Sequence, residues 1–495
     1  MEDYGTSEGI GGRARTAAGW QFLSKGINTG LQMVTSIVLA RLLMPADFGI
    51  VALATMVTGL ANVFRDLGLG QALVQRKEIG EEHTRSAFWG TLVMAGLLYG
   101  GVVLAAPYLG EYFDEPRMVP VLKIIALTFV FAPLAVVPRS LLQRELDFKT
   151  PFFAGLVSSV AYGVVGVVMA LLGYSYWALV GASLAGALVN TVALCILTRY
   201  LPPLVPTFRG IADLFGFGTG ATGVGLMNYI ATRVDYFVIG RKLDSDDLGL
   251  YTRAYQVIVF PLTIVSGTLY PILFPAFAQM QDDMPRARNA YRRVLTIIAV
   301  LTWPLLAALL VTAPEFVPTV FGDQWDGTIL PLQIMTVAGA LKTITNPSGA
   351  LAKAMGTRYV FSQLWRQAVY AALLGVGAWW GAEWGINGVA WAVVAVNLVV
   401  FGLGAHLVFL AARVGMGDYI VALRGPLLAS LGTALPCLAA RQIALAHNAS
   451  ALVTLVVSFA IAAVASYLLV RFNPFEEVRA SYAEVATMVS RKARA

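Results

Sequence analysis

Residues 228–251 read N-Y-I-A-T-R-V-D-Y-F-V-I-G-R-K-L-D-S-D-D-L-G-L-Y, and residues 28–51, 200 positions earlier, read N-T-G-L-Q-M-V-T-S-I-V-L-A-R-L-L-M-P-A-D-F-G-I-V. Without a gap the two align Asn28 with Asn228, Val34 with Val234, Val38 with Val238, Arg41 with Arg241, Leu43 with Leu243, Asp47 with Asp247 and Gly49 with Gly249. A helix, a short turn and the start of the next helix therefore occur twice, each time opening one half of the chain. The second copy sets Arg233 and Asp235 in an apolar run, where charge is costly and by default marks function. Two like halves with charge buried near the start of the second is the layout of a secondary transporter.

The composition agrees with a bilayer solvent. Of 495 residues 58% are hydrophobic and 13% charged, too apolar for an ordinary soluble domain. The formal charge of +7 does not point to nucleic acid, because the basic residues form short clusters between apolar segments and no zinc-finger or RNA-binding pattern accompanies them. Cys195 and Cys437 lie in apolar runs, and His83, His406 and His447 are scattered. No metal set, cofactor motif, phosphate-binding glycine loop or paired-carboxylate site is legible, so an enzyme is not expected.

Apolar runs of about 20 residues predict an all-α integral membrane protein with helices near 19–41, 48–64, 86–107, 120–138, 151–172, 176–198, 212–240, 249–276, 291–312, 329–350, 360–380, 385–411, 421–440 and 450–470. Pro261, Pro271 and Pro275 predict a bend in the eighth. Every even span ends in a basic loop, as with Arg139, Arg144 and Lys149, or Arg286, Arg288, Arg292 and Arg293, while the intervening loops carry Glu111, Asp114 and Glu115 or Glu315, Asp323 and Asp326. Positive-inside then places both termini in the cytoplasm. Arg41, Arg241 and Lys242 break this rule, since their loops fall outside. The expected organisation is a cytoplasmic tail over 1–18, a six-helix lobe over 19–205, a second over 206–412, two further helices over 413–471 and a cytoplasmic tail over 472–495. The two lobes are parallel repeats about an axis along the membrane normal.

Gln21, Lys25, Asn28, Gln32 and Thr35 fall on one face of the first helix, and Ala221, Gly225, Asn228, Thr232 and Asp235 hold the same register in the seventh. Two polar faces in one register are satisfied most simply by a hydrated cavity between them, and the alternative is packing in which Asn, Gln and Thr bond a neighbouring helix. Arg233 is placed to flank such a cavity or to pair with Asp235. Lys342, with Asn346 four residues on, sits too deep to reach an interface. Arg65, Arg253 and Arg366 stand nearer span ends, where snorkelling competes with a site role. The candidate substrate contacts are Lys25, Asn28, Gln32, Asn228, Arg233, Arg253, Lys342 and Arg366, with Asp235 the candidate for ion coupling. An interior with more cations than carboxylates suits an anion, above all phosphate.

The run from Arg233 to Tyr251, with F-R-D-L-G-L-G-Q-A-L-V-Q at 64–75 and A-R-L-L-M-P-A-D-F-G at 40–49, resembles the Wzx-type polysaccharide flippases, of the superfamily that also holds the lipid II flippases and the multidrug and toxin extruders (MATE). The resemblance covers most of the first twelve spans and weakens after about Gly415. It implies a MATE-like, V-shaped pair of lobes in the bacterial inner membrane working by alternating access, with a polyprenyl-diphosphate-linked oligosaccharide as cargo and membrane lipid around its tail. A proton or sodium ion for coupling and polysaccharide polymerase machinery are candidate partners. A cation-coupled multidrug extruder of the same fold is the alternative and calls for an acid-rich N-terminal cavity. A membrane polymerase or ligase calls for large outer loops with catalytic Arg or His.

Overall fold

In hydrocarbon every backbone N–H and C=O must bond within its own segment, so apolar runs of this length become helices. The structure, a computed structural model, describes residues 7–65, 68–76, 78–203, 205–207, 211–475 and 478–479; within its helices the side chains at 7–19, 21–25, 211–221, 264–272, 357–361 and 363 lie outside that description. The helices are α1 Ser7–Leu42, α2 Pro45–Asn62, α3 Leu69–Gln75, α4 Glu81–Tyr112, α5 Met118–Ile125, α6 Thr128–Arg144, α7 Lys149–Leu171, α8 Trp177–Thr198 and α9 Ile211–Lys242, followed by α10 Ser245–Ala278, α11 Met284–Val320, α12 Ile329–Thr345, α13 Pro347–Ala354, α14 Thr357–Gly381, α15 Gly385–Ala412, α16 Met416–Ala446 and α17 Ala451–Arg471. Short 3-10 turns occupy Asp323–Thr328 and Ala382–Trp384, and the described residues contain no strand. The protein is thus an all-α, multi-pass membrane protein. Ten runs are long and apolar enough to cross a bilayer among the described residues, with which the expected fourteen spans are compatible.

Arg41, Arg241 and Lys242 are in the last turns of α1 and α9 rather than in loops, where cations offset the unpaired carbonyls of a helix C-terminus. α10 is helix through Pro261, Pro271 and Pro275, and Pro347, which lacks an N–H, separates α12 from α13. The seven-residue α3 falls within the F-R-D-L-G-L-G-Q-A-L-V-Q segment, too short to register as a span. Gly68 opens it at φ 76°, a conformation other residues adopt only with strain. Leu69, Ala72 and Leu73 pack onto Ala87, Phe88 and Val137, and Arg144 donates to the carbonyls of Leu73 (3.2 Å) and Arg76 that end the short helix.

The chain forms two compact units, Met1–Gly249 and Leu250–Ala495. The first includes α9, the opening helix of the second repeat, because α9 packs on α2, α3 and α4. The Tyr229 hydroxyl donates to the Met56 carbonyl at 2.6 Å, and Phe237 meets Tyr112 and Phe113 at ring separations of 5.7 and 5.4 Å. The two repeat turns touch reciprocally. A Cβ on Gly49 would overlap the Ser245 carbonyl, and one on Gly249 would overlap the Pro45 carbonyl. Position 45 of one copy thus meets position 49 of the other in both directions, as two-fold contacts do. Arg117 binds Glu115 at 2.8 Å and reaches the Ser245 hydroxyl at 3.4 Å. Burial pushes the Glu115 carboxyl up, but hydrogen bonds from Arg117 and Ser245 outweigh it and hold the group below its ordinary range. Its stabilising contribution is therefore complete above that range and is lost as pH falls through the lowered value.

In the second unit α16 runs parallel to α11. Arg288 and Arg292 bind Asp418 at 2.9 and 3.8 Å, Tyr291 bonds Tyr419 at 3.2 Å, Thr296 donates to the Ala422 carbonyl at 3.0 Å, and Arg441 binds Glu315 at 2.8 Å. Ala429 packs with Val300, and Cys437 with Ala308. α17 returns against both, through Ala462 beside Cys437 and Val470 beside Ala429.

Gly49→Ala and Gly249→Ala should each cost about 1–3 kcal/mol, the usual range for overpacking, and lower the thermal midpoint of the purified protein. Gly100→Ala, whose Cβ meets nothing within 4 Å, should not. Arg441→Gln leaves Glu315, whose side chain is 7% exposed, without its cation. It should cost about 3–5 kcal/mol, and Glu315→Gln in the same chain should recover part of that loss in thermal unfolding.

Candidate functional site

The polar face of α1 divides between packing and open surface. Ser159 of α7 donates to Asn28 Oδ1 at 3.1 Å, and Gly155 and Gly163 of α7 present their Cα faces to Asn28 and Thr35. Small residues four apart on α7 admit the larger polar chains of α1, which is helix packing stabilised by hydrogen bonding. Gln32 is exposed. The side chains of Gln21 and Lys25 lie outside the described residues.

The matching face of α9 divides differently. Asn228 and Thr232 are exposed, and the Thr232 hydroxyl donates to the Asn228 carbonyl at 2.9 Å. Asp235 is 2% exposed and accepts the Tyr236 N–H at 3.0 Å. The Arg233 guanidinium lies over the Tyr236 ring, 4.7 Å from its centre. A ring face carries partial negative charge, so this contact favours a cation on an apolar helix without a second formal charge.

The second unit holds three of the candidate cations, each in a distinct setting. Arg253 is 3% exposed, its guanidinium 5.1 Å from the Phe321 ring and 4.8 Å from that of Trp325, with Nη1 donating to Gln256 at 3.2 Å. It is enclosed by aromatic rings, so snorkelling does not describe it. Lys342 is half-buried in the last turn of α12. Its ammonium donates to the Tyr255 hydroxyl at 3.1 Å and lies 4.7 Å from that ring's centre. Arg366 of α14 stands against Gly404 of α15, where a Cβ would come within 2.9 Å of Nη1, with Ser348 of α13 beside it.

Pro347 sets the position of Lys342. Residue 347 has no N–H to give to the Thr343 carbonyl one turn before it. In the same turn Trp303 Nε1 bonds the Ala340 carbonyl at 3.2 Å and Thr343 Oγ1 at 2.9 Å, and the Lys342 carbonyl accepts from the Asn346 N–H at 3.0 Å and the Thr345 hydroxyl at 3.2 Å. Lys342 thus stands in the last turn before a proline-marked helix boundary. Tyr255, Trp325 and Trp303 were not legible as site residues, because an aromatic in an apolar run reads as core until a cation is found on its face.

Residues 38–330 match the family described as polysaccharide biosynthesis protein. The chain is 29% identical over 347 residues to the lipopolysaccharide biosynthesis protein WzxC of Escherichia coli (strain K12), covering 68% of this chain and 70% of that one. To the teichuronic acid biosynthesis protein TuaB of Bacillus subtilis (strain 168) it is 25% identical over 419 residues, covering 83% and 86%. In fold it is similar to the lipid II flippase MurJ in its inward closed conformation, with a TM-score of 0.71 at 12% identity over 91% of this chain and 98% of that one. An inward-facing MATE family multidrug resistance transporter gives a TM-score of 0.62 at 16% identity, over 79% and 94%.

Tyr255→Phe keeps the ring and removes the hydroxyl acceptor of Lys342, which should cost about 1.5–3 kcal/mol, the usual worth of a hydrogen bond to a charged group. Tyr255→Leu removes the ring as well and should lower the thermal midpoint further.

Proposed function

Because the chain belongs to the polysaccharide biosynthesis protein family, we propose that it is a flippase that moves a polyprenyl-diphosphate-linked oligosaccharide from the inner to the outer leaflet of the bacterial cytoplasmic membrane. The product serves export or assembly of a surface polysaccharide. The observation that carries this reading beyond the family is Lys342, a half-buried ammonium on Tyr255 at the end of a proline-broken helix.

A diphosphate entering a bilayer loses its water, and the replacement must be donors already in place. Lys342 provides a compact positive charge whose partner is a neutral phenol, so an incoming phosphate meets a cation not already neutralised by that contact. The glycan crosses in a hydrated path and the prenyl tail stays in lipid. Arg253, enclosed by Phe321 and Trp325, serves instead to shape the α10 end beneath it. Asp235, buried in an apolar helix, is the group proposed to couple transport to a proton or sodium ion. Access alternates between the two faces of the membrane, with both termini in the cytoplasm.

Lys342→Gln, folded and membrane-inserted, should move the lipid-linked glycan tenfold to a hundredfold more slowly in proteoliposomes, since a charged hydrogen bond is worth about 1.5–3 kcal/mol. Lys342→Arg should keep part of the rate. Full activity of the Gln variant at native expression would remove Lys342 from the substrate path.

A further inference from the structure

A second cationic region lies wholly within the first unit. The segment after α2, the short α3, one face of α6 along its length and the later half of α8 line a cavity of about 260 Å³. Arg65, Gln71, Arg139, Gln143, Asn190 and Thr191 provide its polar lining, and no carboxylate is among the described residues that line it. Arg139 and Gln143 are four apart on α6 and so share the face turned to the cavity. Asn190 and Thr191 come from α8 and Gln71 from α3.

One donor is unspent. Arg65 uses Nη1 on Asn62 Oδ1 at 3.0 Å, but its Nε is buried with no hydrogen-bond partner among the described residues. An orphaned buried donor in a cationic cavity is a place for an acceptor. Two guanidinium groups present planar, forked N–H pairs that match phosphate oxygens, and the amides of Gln71, Gln143 and Asn190 can bond the oxygens that remain. The volume falls just under that of pockets for drug-sized ligands, so it takes a head group and not an oligosaccharide.

We propose that this cavity is a binding site for a diphosphate ester, with Arg65 and Arg139 as its anion contacts. The basic loops place these helix ends on the cytoplasmic side, where a lipid-linked substrate would be met first. Assigning the diphosphate to the cargo rests on the flippase reading; the anion chemistry does not. A phospholipid head group and free pyrophosphate share that chemistry.

The test uses the full chain in phosphatidylcholine nanodiscs, with radiolabelled farnesyl diphosphate as probe. Wild type should bind it saturably, Arg65→Gln and Arg139→Gln should each weaken binding about tenfold to a hundredfold, and Arg199→Gln, an exposed cation outside the cavity, should leave it unchanged. Gln71→Glu adds a carboxylate beside the arginines without deleting a buried group, and should weaken binding even where an arginine variant fails to fold. Displacement by inorganic pyrophosphate but not by phosphatidylglycerol supports the diphosphate assignment; displacement by phosphatidylglycerol alone gives the site to bilayer lipid and overturns it. Absence of saturable binding, or equal loss with Arg199→Gln, overturns the site. Arginine-dependent binding without movement of lipid-linked glycan in vesicles defeats the flippase reading and leaves the site, while full movement by Arg65→Gln and Arg139→Gln defeats its role in transport.

Discussion

A segment without water must satisfy its own backbone, and the rest of this structure is what that requirement allows. It produces long helices, and it permits departures only where another donor or acceptor is at hand. The boundary between α12 and α13 falls at Pro347, which has no N–H to give to the preceding turn. The short α3 ends where Arg144 meets the carbonyls of Leu73 and Arg76. The turns between α1 and α2 and between α9 and α10 close tightly because each ends in a glycine that lets the other turn's backbone approach.

Charge is accommodated by the same economy. Arg233, Arg253 and Lys342 each rest on aromatic faces, and Arg41, Arg241 and Lys242 end helices. Rings and helix ends offset a cation partially, whereas a carboxylate neutralises it. Where the structure does pair charges fully, between Asp418 and Arg288 or Glu315 and Arg441, the pairs fasten α16 to α11. α16 is thus docked on α11 by ion pairs at either end and small residues between.

The sequence alone determined the class, the helices and the repeat. Hydrophobic length and backbone satisfaction are properties of single segments, and a 200-residue repeat is a property of the string, so neither needs a neighbour to be read. It also marked Lys342 and Asp235 as costly where they stand. Tertiary structure alone decided which polar residues are spent on packing: Asn28 and Thr35 face α7, Asp235 is enclosed while Asn228 and Thr232 on the same face are open, and Arg139, which reads as a loop cation, lines a cavity with Arg65. Helical periodicity gives the face a residue occupies, but what covers that face comes from helices distant in the chain, and burial, pairing and availability to a ligand all depend on that cover.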